Sequence, residues 1–206
     1  MVDTQLLARD ISDARVLEAM RRVPRHLFIP SREAAVAYGD HPVDIGFGQT
    51  ISQPYVVAKM IEVLIADRIP KNLLEVGTGC GYQAAVLAQL FPEVYSIERI
   101  KGLLERARGN LLGLRLKNLR LAHGDGYAGL ESAAPFQSIV VAAAAPRMPE
   151  ALLRQLAHGG RMVLPMAQLG RGGARQRLVL VERSRRGYLE SELDAVRFVP
   201  MEAGKA

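Results

Sequence analysis

The chain has 206 residues, 49% of them hydrophobic, a net charge of +6, four histidines and one cysteine. That length suits one well-buried core of α/β size, and that composition argues against disorder. No apolar run approaches the roughly 20 residues of a membrane-spanning helix, an internal disulfide is excluded, and the scattered histidines give no metal-ligand spacing.

In chain order, residues 1–9 (MVDTQLLAR) lack the basic start and apolar stretch of a secretory leader, and the lone Cys80 fits a reducing compartment, so a cytoplasmic location is expected. Residues 14–22 (ARVLEAMRR) place Val16, Leu17 and Met20 on one helical face. An irregular proline-bounded stretch, VPRHLFIP, precedes GFGQTISQPYVVAKM at 46–60. Within the latter, Ser52 followed by Pro54 reads as the start of an amphipathic helix over 55–66, with Ser52 a candidate N-cap. From there strands and helices alternate: strand 72–76, helix 82–90, strand 94–97, helix 100–112, strands 119–122 and 138–142, helix 149–157 and strand 161–165. Such alternation implies right-handed crossovers and a mainly parallel sheet. Two further strands, 177–182 and 193–199, lie around a polar turn and suggest an antiparallel hairpin at the sheet edge. The fold class is therefore α/β, Rossmann-like and doubly wound, in one domain over 1–206, with an N-terminal substrate-side segment (1–66) and a sheet core (71–206).

The basic residues gather in 106–120 and 171–186. The first group reads as an exposed helix face, the second as a solvated Gly/Arg-rich loop, GRGGARQR, without interleaved aromatics for stacking bases. Neither a nucleic-acid partner nor a membrane is expected.

The stretch LLEVGTGCGY sets Gly77, Thr78, Gly79 and Gly81 between a strand and a helix. Glycines allow a sharp turn and close backbone approach to a ligand at a helix N-terminus. The third glycine of the dinucleotide pattern is replaced by Tyr82, and no Gly-Lys-Ser/Thr follows, which disfavours NAD and nucleoside triphosphates. Acidic residues fall at the ends of three successive strands: Glu75, Glu98 (21 positions after Gly77) and Asp125, which Gly126 follows. That register describes an S-adenosylmethionine pocket, with Glu75 near the methionine ammonium, Glu98 on the ribose and Asp125 at the adenine amino group.

RVPRHLFIP, GFGQTISQP, LLEVGTGCGYQAAVLAQL, VYSIER, GDGYAG, AAAAPRMPEALLRQL, GGRMVLPM and the terminal VRFVP run in order over nearly the whole chain. On these pieces the chain resembles the protein-L-isoaspartate O-methyltransferases. The resemblance implies a seven-stranded methyltransferase sheet, leaving the order of its last two strands open between the ordinary and the exchanged arrangement. It implies S-adenosylmethionine as cofactor, isoaspartyl proteins and peptides as substrates, and methyl transfer to their free α-carboxylate. It places the active-site serine at Ser52, a wall for the methionine end at Thr50 and Ile51, and substrate-binding backbone groups at Phe198 and Val199. A monomer is expected. Departures from the family pattern are Cys80, Tyr127 and Gln137. The competing readings are a methyltransferase for RNA or another acceptor, and a non-catalytic S-adenosylmethionine or peptide-binding module. Against the first, AAAAP stands where base-amino methylation uses Asn/Asp-Pro-Pro-Tyr/Phe.

Overall fold

The computed structural model describes residues 1–170 and 173–206, with side chains described at all of these except 169, 170, 173 and 174. Asp13 accepts the Arg15 backbone N–H and so starts α1 (Ala14–Arg22), whose Val16, Leu17 and Met20 are buried as their spacing requires. After short 3₁₀ turns at Arg25–Phe28 and Ser31–Val36 comes a small antiparallel hairpin, β1 (Val43–Gly46) and β2 (Gln49–Ile51), for which the sequence analysis made no provision. Helix α2 (Pro54–Leu64) follows with proline in its first turn.

The main sheet then forms from β3 (Asn72–Val76), β4 (Glu93–Glu98), β5 (Leu119–His123), β6 (Phe136–Val141), β7 (Leu156–Gly170), β8 (Gly173–Ser184) and β9 (Gly187–Val196). Its helices are α3 (Tyr82–Ala88), α4 (Lys101–Leu111) and α5 (Glu150–Gln155). The strand order is β5-β4-β3-β6-β7-β8-β9. Strands β3 to β7 pair in parallel, while β8 and β9 each run antiparallel to the strand before. The last strands thus follow one another in simple sequence order, which closes the question the resemblance left open.

Alternate residues serve the two faces, as a strand's period of two demands. Leu73, Val94, Val140 and Val163 join the core built with the N-terminal segment and α1–α4. Leu74, Ile97, Ile139 and Met162 join the core under α5. Burial on both faces explains why these strands read as continuous apolar runs.

Several boundaries differ from expectation, among them the last strand, expected over 193–199 and found over Gly187–Val196. Residues 149–157 do not stay helical to the end, because Leu156 leaves α5, pairs with Phe136 and is fully buried in the sheet. The expected GRGGARQR loop is largely strand: Arg175, Gln176 and Arg177 pair with Gln168, Ala167 and Met166. Hairpin zipping supplies backbone partners that local composition does not reveal. Arg171 lies outside the described residues. Among the described residues, no helix is long and apolar enough to cross a membrane.

Chain order reverses between β3 and β6, and sheets of this kind bind ligands in the crevice at the carboxyl ends of such strands. The predicted loops converge there.

Candidate active site

The cleft at that reversal offers about 850 Å³ of empty space, the solvent at its open mouth included. Its floor is the turn after β3. Gly77 and Gly79 have φ of +96° and +56°, which other residues rarely adopt, and a Cβ on Gly77 would stand 3.4 Å from that of Ala142. Thr50, Ile51, Ser52, Gly77, Thr78, Gly79, Glu98, Gly126 and Val199 all line the cleft, so the structure brings most of the expected site residues together.

Gly81, Glu75, Asp125 and Phe198 are not on its wall. Gly81 instead lets two helices meet: at φ +91° its Cβ would lie 3.0 Å from Leu111 and 3.3 Å from Ala107 on α4. The loop is also less generous with donors than its glycines suggest. The N–H groups of Gly77 and Thr78 go to the Ile97 carbonyl, and that of Gly79 to Glu98.

The three acids divide by depth. Glu98 reaches the cleft. Its Oε2 accepts from Gly79 N (2.8 Å) and its Oε1 from Ile100 N (2.9 Å), so the carboxylate is fixed while each oxygen keeps a further lone pair. Glu75 is wholly buried behind the loop. Its Oε2 accepts from Ser96 Oγ, which in turn meets Thr78 Oγ1 at 2.6 Å. Burial pushes the Glu75 carboxyl up to about 8, because desolvation penalises the charged form more than the bond from Ser96 favours it. Glu75, expected near a methionine ammonium, thus stands behind the cleft wall rather than on it. Glu75 points from β3 to the face that α3 covers, as Leu73 does, rather than past the strand end. Asp125 stands off the cleft wall and accepts Tyr127 N and Gly204 N (both 2.8 Å), so it ties down the C-terminal tail beside Gly126.

Ser52 follows β2 and precedes α2. The N-cap of α2 is Gln53, which makes no side-chain capping bond. Capping comes from a distance: Asp40 accepts Tyr55 N at 3.1 Å and Gln53 Nε2 at 2.8 Å. The expectation that Ser52 caps this helix is thereby corrected: its hydroxyl makes no hydrogen bond among the described residues, and the residue lines the cleft. Its main-chain carbonyl accepts from the guanidinium of Arg25 (2.7 Å), a wholly buried residue that also donates to Ala37 O.

The AAAAP segment and the tail form the opposite wall. Ala144 N donates to Val199 O and Met201 N to Ala144 O, both 2.8 Å. This pairing brings Ala142, Ala143, Val199, Pro200 and Met201 to the cleft. Phe198 offers no free backbone pair, because its N–H donates to Gln176 Oε1 and its carbonyl accepts from Gln176 Nε2. The other departures are explained by position. Gln137 Oε1 accepts Lys71 N at the amino-terminal ends of β3 and β6, and Tyr127 donates its hydroxyl to the Met201 carbonyl. Cys80 does line the cleft, and burial raises its thiol to about 11, which leaves it protonated and inert.

Several lining residues were missed in the sequence: Gln83, Arg99 and Glu202. Arg99 and Glu202 form an ion pair at 2.6 Å that closes the tail over the strand β4 end. Gln83 carried a signal, being a polar residue in the first turn of the otherwise apolar α3. Its amide is buried with neither Oε1 nor Nε2 hydrogen-bonded. Side-chain-free glycines, a fixed carboxylate among Ile97, Ile100 and Leu103, and an orphaned amide together fit a ligand with an apolar ring system, ribose hydroxyls and a polar end.

A family model described as protein-L-isoaspartate(D-aspartate) O-methyltransferase matches residues 1–206. The chain is 55% identical over 201 residues to a protein-L-isoaspartate O-methyltransferase of Azoarcus sp., covering 97% of this chain and 90% of that one. It is 52% identical to that of Chromobacterium violaceum, covering 98% and 88%. A crystal structure from Plasmodium falciparum, described as a protein of this kind in complex with S-adenosyl-L-homocysteine, superposes with a TM-score of 0.85 at 27% identity, covering 98% and 96%.

Proposed function

Because the chain belongs to the protein-L-isoaspartate(D-aspartate) O-methyltransferase family, we propose specific roles for the residues of its cleft in that reaction. The protein is a repair methyltransferase that uses S-adenosylmethionine and acts on L-isoaspartyl residues of damaged proteins and peptides. When bound, the cofactor supplies an electrophilic methyl group. The acceptor α-carboxylate is already an anion, so the chain needs no strong general base. Its task is to hold the acceptor in line and keep water out.

Ser52 is the residue that orients the acceptor carboxylate, donating its hydroxyl to one oxygen. The observation that carries this role is the free Ser52 hydroxyl, left so because Asp40 caps α2. Thr50 and Ile51 wall the methionine end, Glu98 accepts ribose hydroxyls with its remaining lone pairs, and Gly77, Thr78, Gly79 and Gly126 give close backbone approach. Asp125 and Gly81 support the pocket from behind. Val199 borders the acceptor, while Phe198 contributes through the tail segment that Gln176 holds. In this reading the protein works as a monomer and as one unit over 1–206. Its lone cysteine supports a cytoplasmic location, and AAAAP in the place of a base-recognition motif supports a protein rather than a nucleic-acid substrate.

Ser52→Ala tests the reading. Losing one orienting donor in a closed site costs roughly 10²–10³ in rate. Transfer of labelled methyl to an isoaspartyl peptide should fall by that factor with S-adenosylhomocysteine affinity unchanged, and Ser52→Thr should recover part of it. Near wild-type turnover in Ser52→Ala would remove Ser52 from the reaction.

A further inference from the structure

We propose that Gln83, backed by Glu75, is the group that grips the amino-acid end of the cofactor, a reading that rests on the cofactor assigned above. Gln83 is the second residue of α3 and lines the cleft, yet it is only 7% exposed. Both heteroatoms of its amide are buried without a hydrogen-bond partner, and so is Oε1 of Glu75. A buried polar group without a partner is costly, and native proteins retain few of them without a ligand, an ion or water to satisfy them. The helix around Gln83 gives no reason for an amide: Tyr82 and residues 84–88 are all buried, and every one of 84–88 is alanine, valine or leucine.

Gln83 on α3 and Glu75 on β3 are both buried on the face of the sheet that α3 covers. Oε2 of Glu75 is already held by Ser96, so its Oε1 is the atom still without a partner. Without a ligand the buried Glu75 keeps its proton, but a cationic group bound beyond Gln83 favours the ionised form, which only accepts and so takes the Gln83 amide nitrogen. Its carbonyl oxygen is then left for the cleft. A carbonyl backed by a carboxylate suits a cationic donor, and the one such group on this cofactor's amino-acid end is its ammonium. The position agrees. Glu98 closes β4, Ile100 and Leu103 follow it and Gly126 follows β5, where ribose and ring are placed, whereas Gln83 follows β3 and lines the same cleft as Val57 and the Ser52 segment. Glu75, too deep to touch the ligand, acts through Gln83 as a positioning residue.

Calorimetric titration with two ligands tests this. S-adenosylhomocysteine carries the amino-acid end and 5′-methylthioadenosine lacks it. Gln83→Met, similar in volume and without the amide, should lose at least tenfold in affinity for the first and less than threefold for the second. Glu75→Gln should produce part of the same selective loss, and the double variant should lose no more than Gln83→Met alone. An equal loss for both ligands, or S-adenosylhomocysteine affinity kept within threefold, overturns the inference while leaving the cofactor reading intact. A wild type that binds neither ligand overturns both. Should Gln83→Met fail to fold, Gln83→Leu is read by the same criteria. Should that fail too, the ligand pair is applied to Glu75→Gln, where an unselective result counts against the proposal.

Discussion

Asp40 and Ser52 exchange the parts that their neighbourhoods in the chain suggest. Asp40 sits in a polar turn far from any helix start, yet it accepts Tyr55 N and Gln53 Nε2 and pairs with Arg9 at 3.1 Å. Ser52, at the position where a cap is expected, is released for the cleft. Stability measurements should show the exchange. Asp40→Ala is expected to lose about 1–2 kcal/mol, the scale of a lost cap and its companion bond, whereas Ser52→Ala should melt like the wild type. A Ser52→Ala protein destabilised as much as Asp40→Ala would restore the capping role to Ser52. The local pattern identified the helix start correctly and the capping group wrongly, because a cap needs only an acceptor at the right point in space.

Hairpin β1–β2 carries the Ser52 segment, and its hold on the body is a small latch. Its turn has positive φ at Gly46 (+81°), Phe47 (+58°) and Gly48 (+69°), which lays the exposed Phe47 ring over α4. There Gly102 makes room: a Cβ would meet Phe47 Cζ at 2.6 Å. Arg106 completes the contact, donating to the Ile45 carbonyl with its guanidinium 5.3 Å from the Phe47 ring centroid. Gly102→Ala separates the helix from the latch. Helix α4 gains up to about 1 kcal/mol in propensity, while the ring must swing away. The melting temperature should hold or rise, hydrogen exchange over 45–51 should quicken, and methyl transfer should fall several-fold. Unchanged exchange in the hairpin would show that the latch does not restrain it. The Gly-Phe-Gly turn was the available sequence signal for this element, but strands this short gain their stability from packing rather than from propensity.

For the whole molecule, the buried Glu75 sets a stability slope with pH. Its carboxyl ionises near its ordinary 4.5 when unfolded and near 8 when folded. Between these values the folded state holds a proton that the unfolded state releases, so stability is fullest below about 4.5 and declines as pH rises through about 8. Asp10 and Asp13 work in the opposite sense. Bonds from Lys59 and Tyr55 to the first, and from Arg15 to the second, hold their carboxyls below the usual range, so their contribution is lost as pH falls. In melts without cofactor, the advantage of Glu75→Gln over wild type should grow from pH 5 to pH 8 and level off above. An advantage that does not change with pH would mean that Glu75 is ionised in the fold throughout.

By itself the sequence determined the alternation of strands and helices, the glycine turn, the acidic register and the family, since each depends on residue types at short spacing along one strand or turn. Strand β3 and helix α1 fall where their periodicity puts them. Only the tertiary structure decided which of those residues reach the cleft. Glu75 and Glu98 read alike, each closing a strand, yet one is sealed under α3 and the other opens on the pocket. Gln176 holds Phe198, Asp125 holds Gly204, and the AAAAP segment meets the tail, all through pairs far apart in the chain. Such pairs leave no local pattern, because a backbone group accepts whatever partner the fold brings to it.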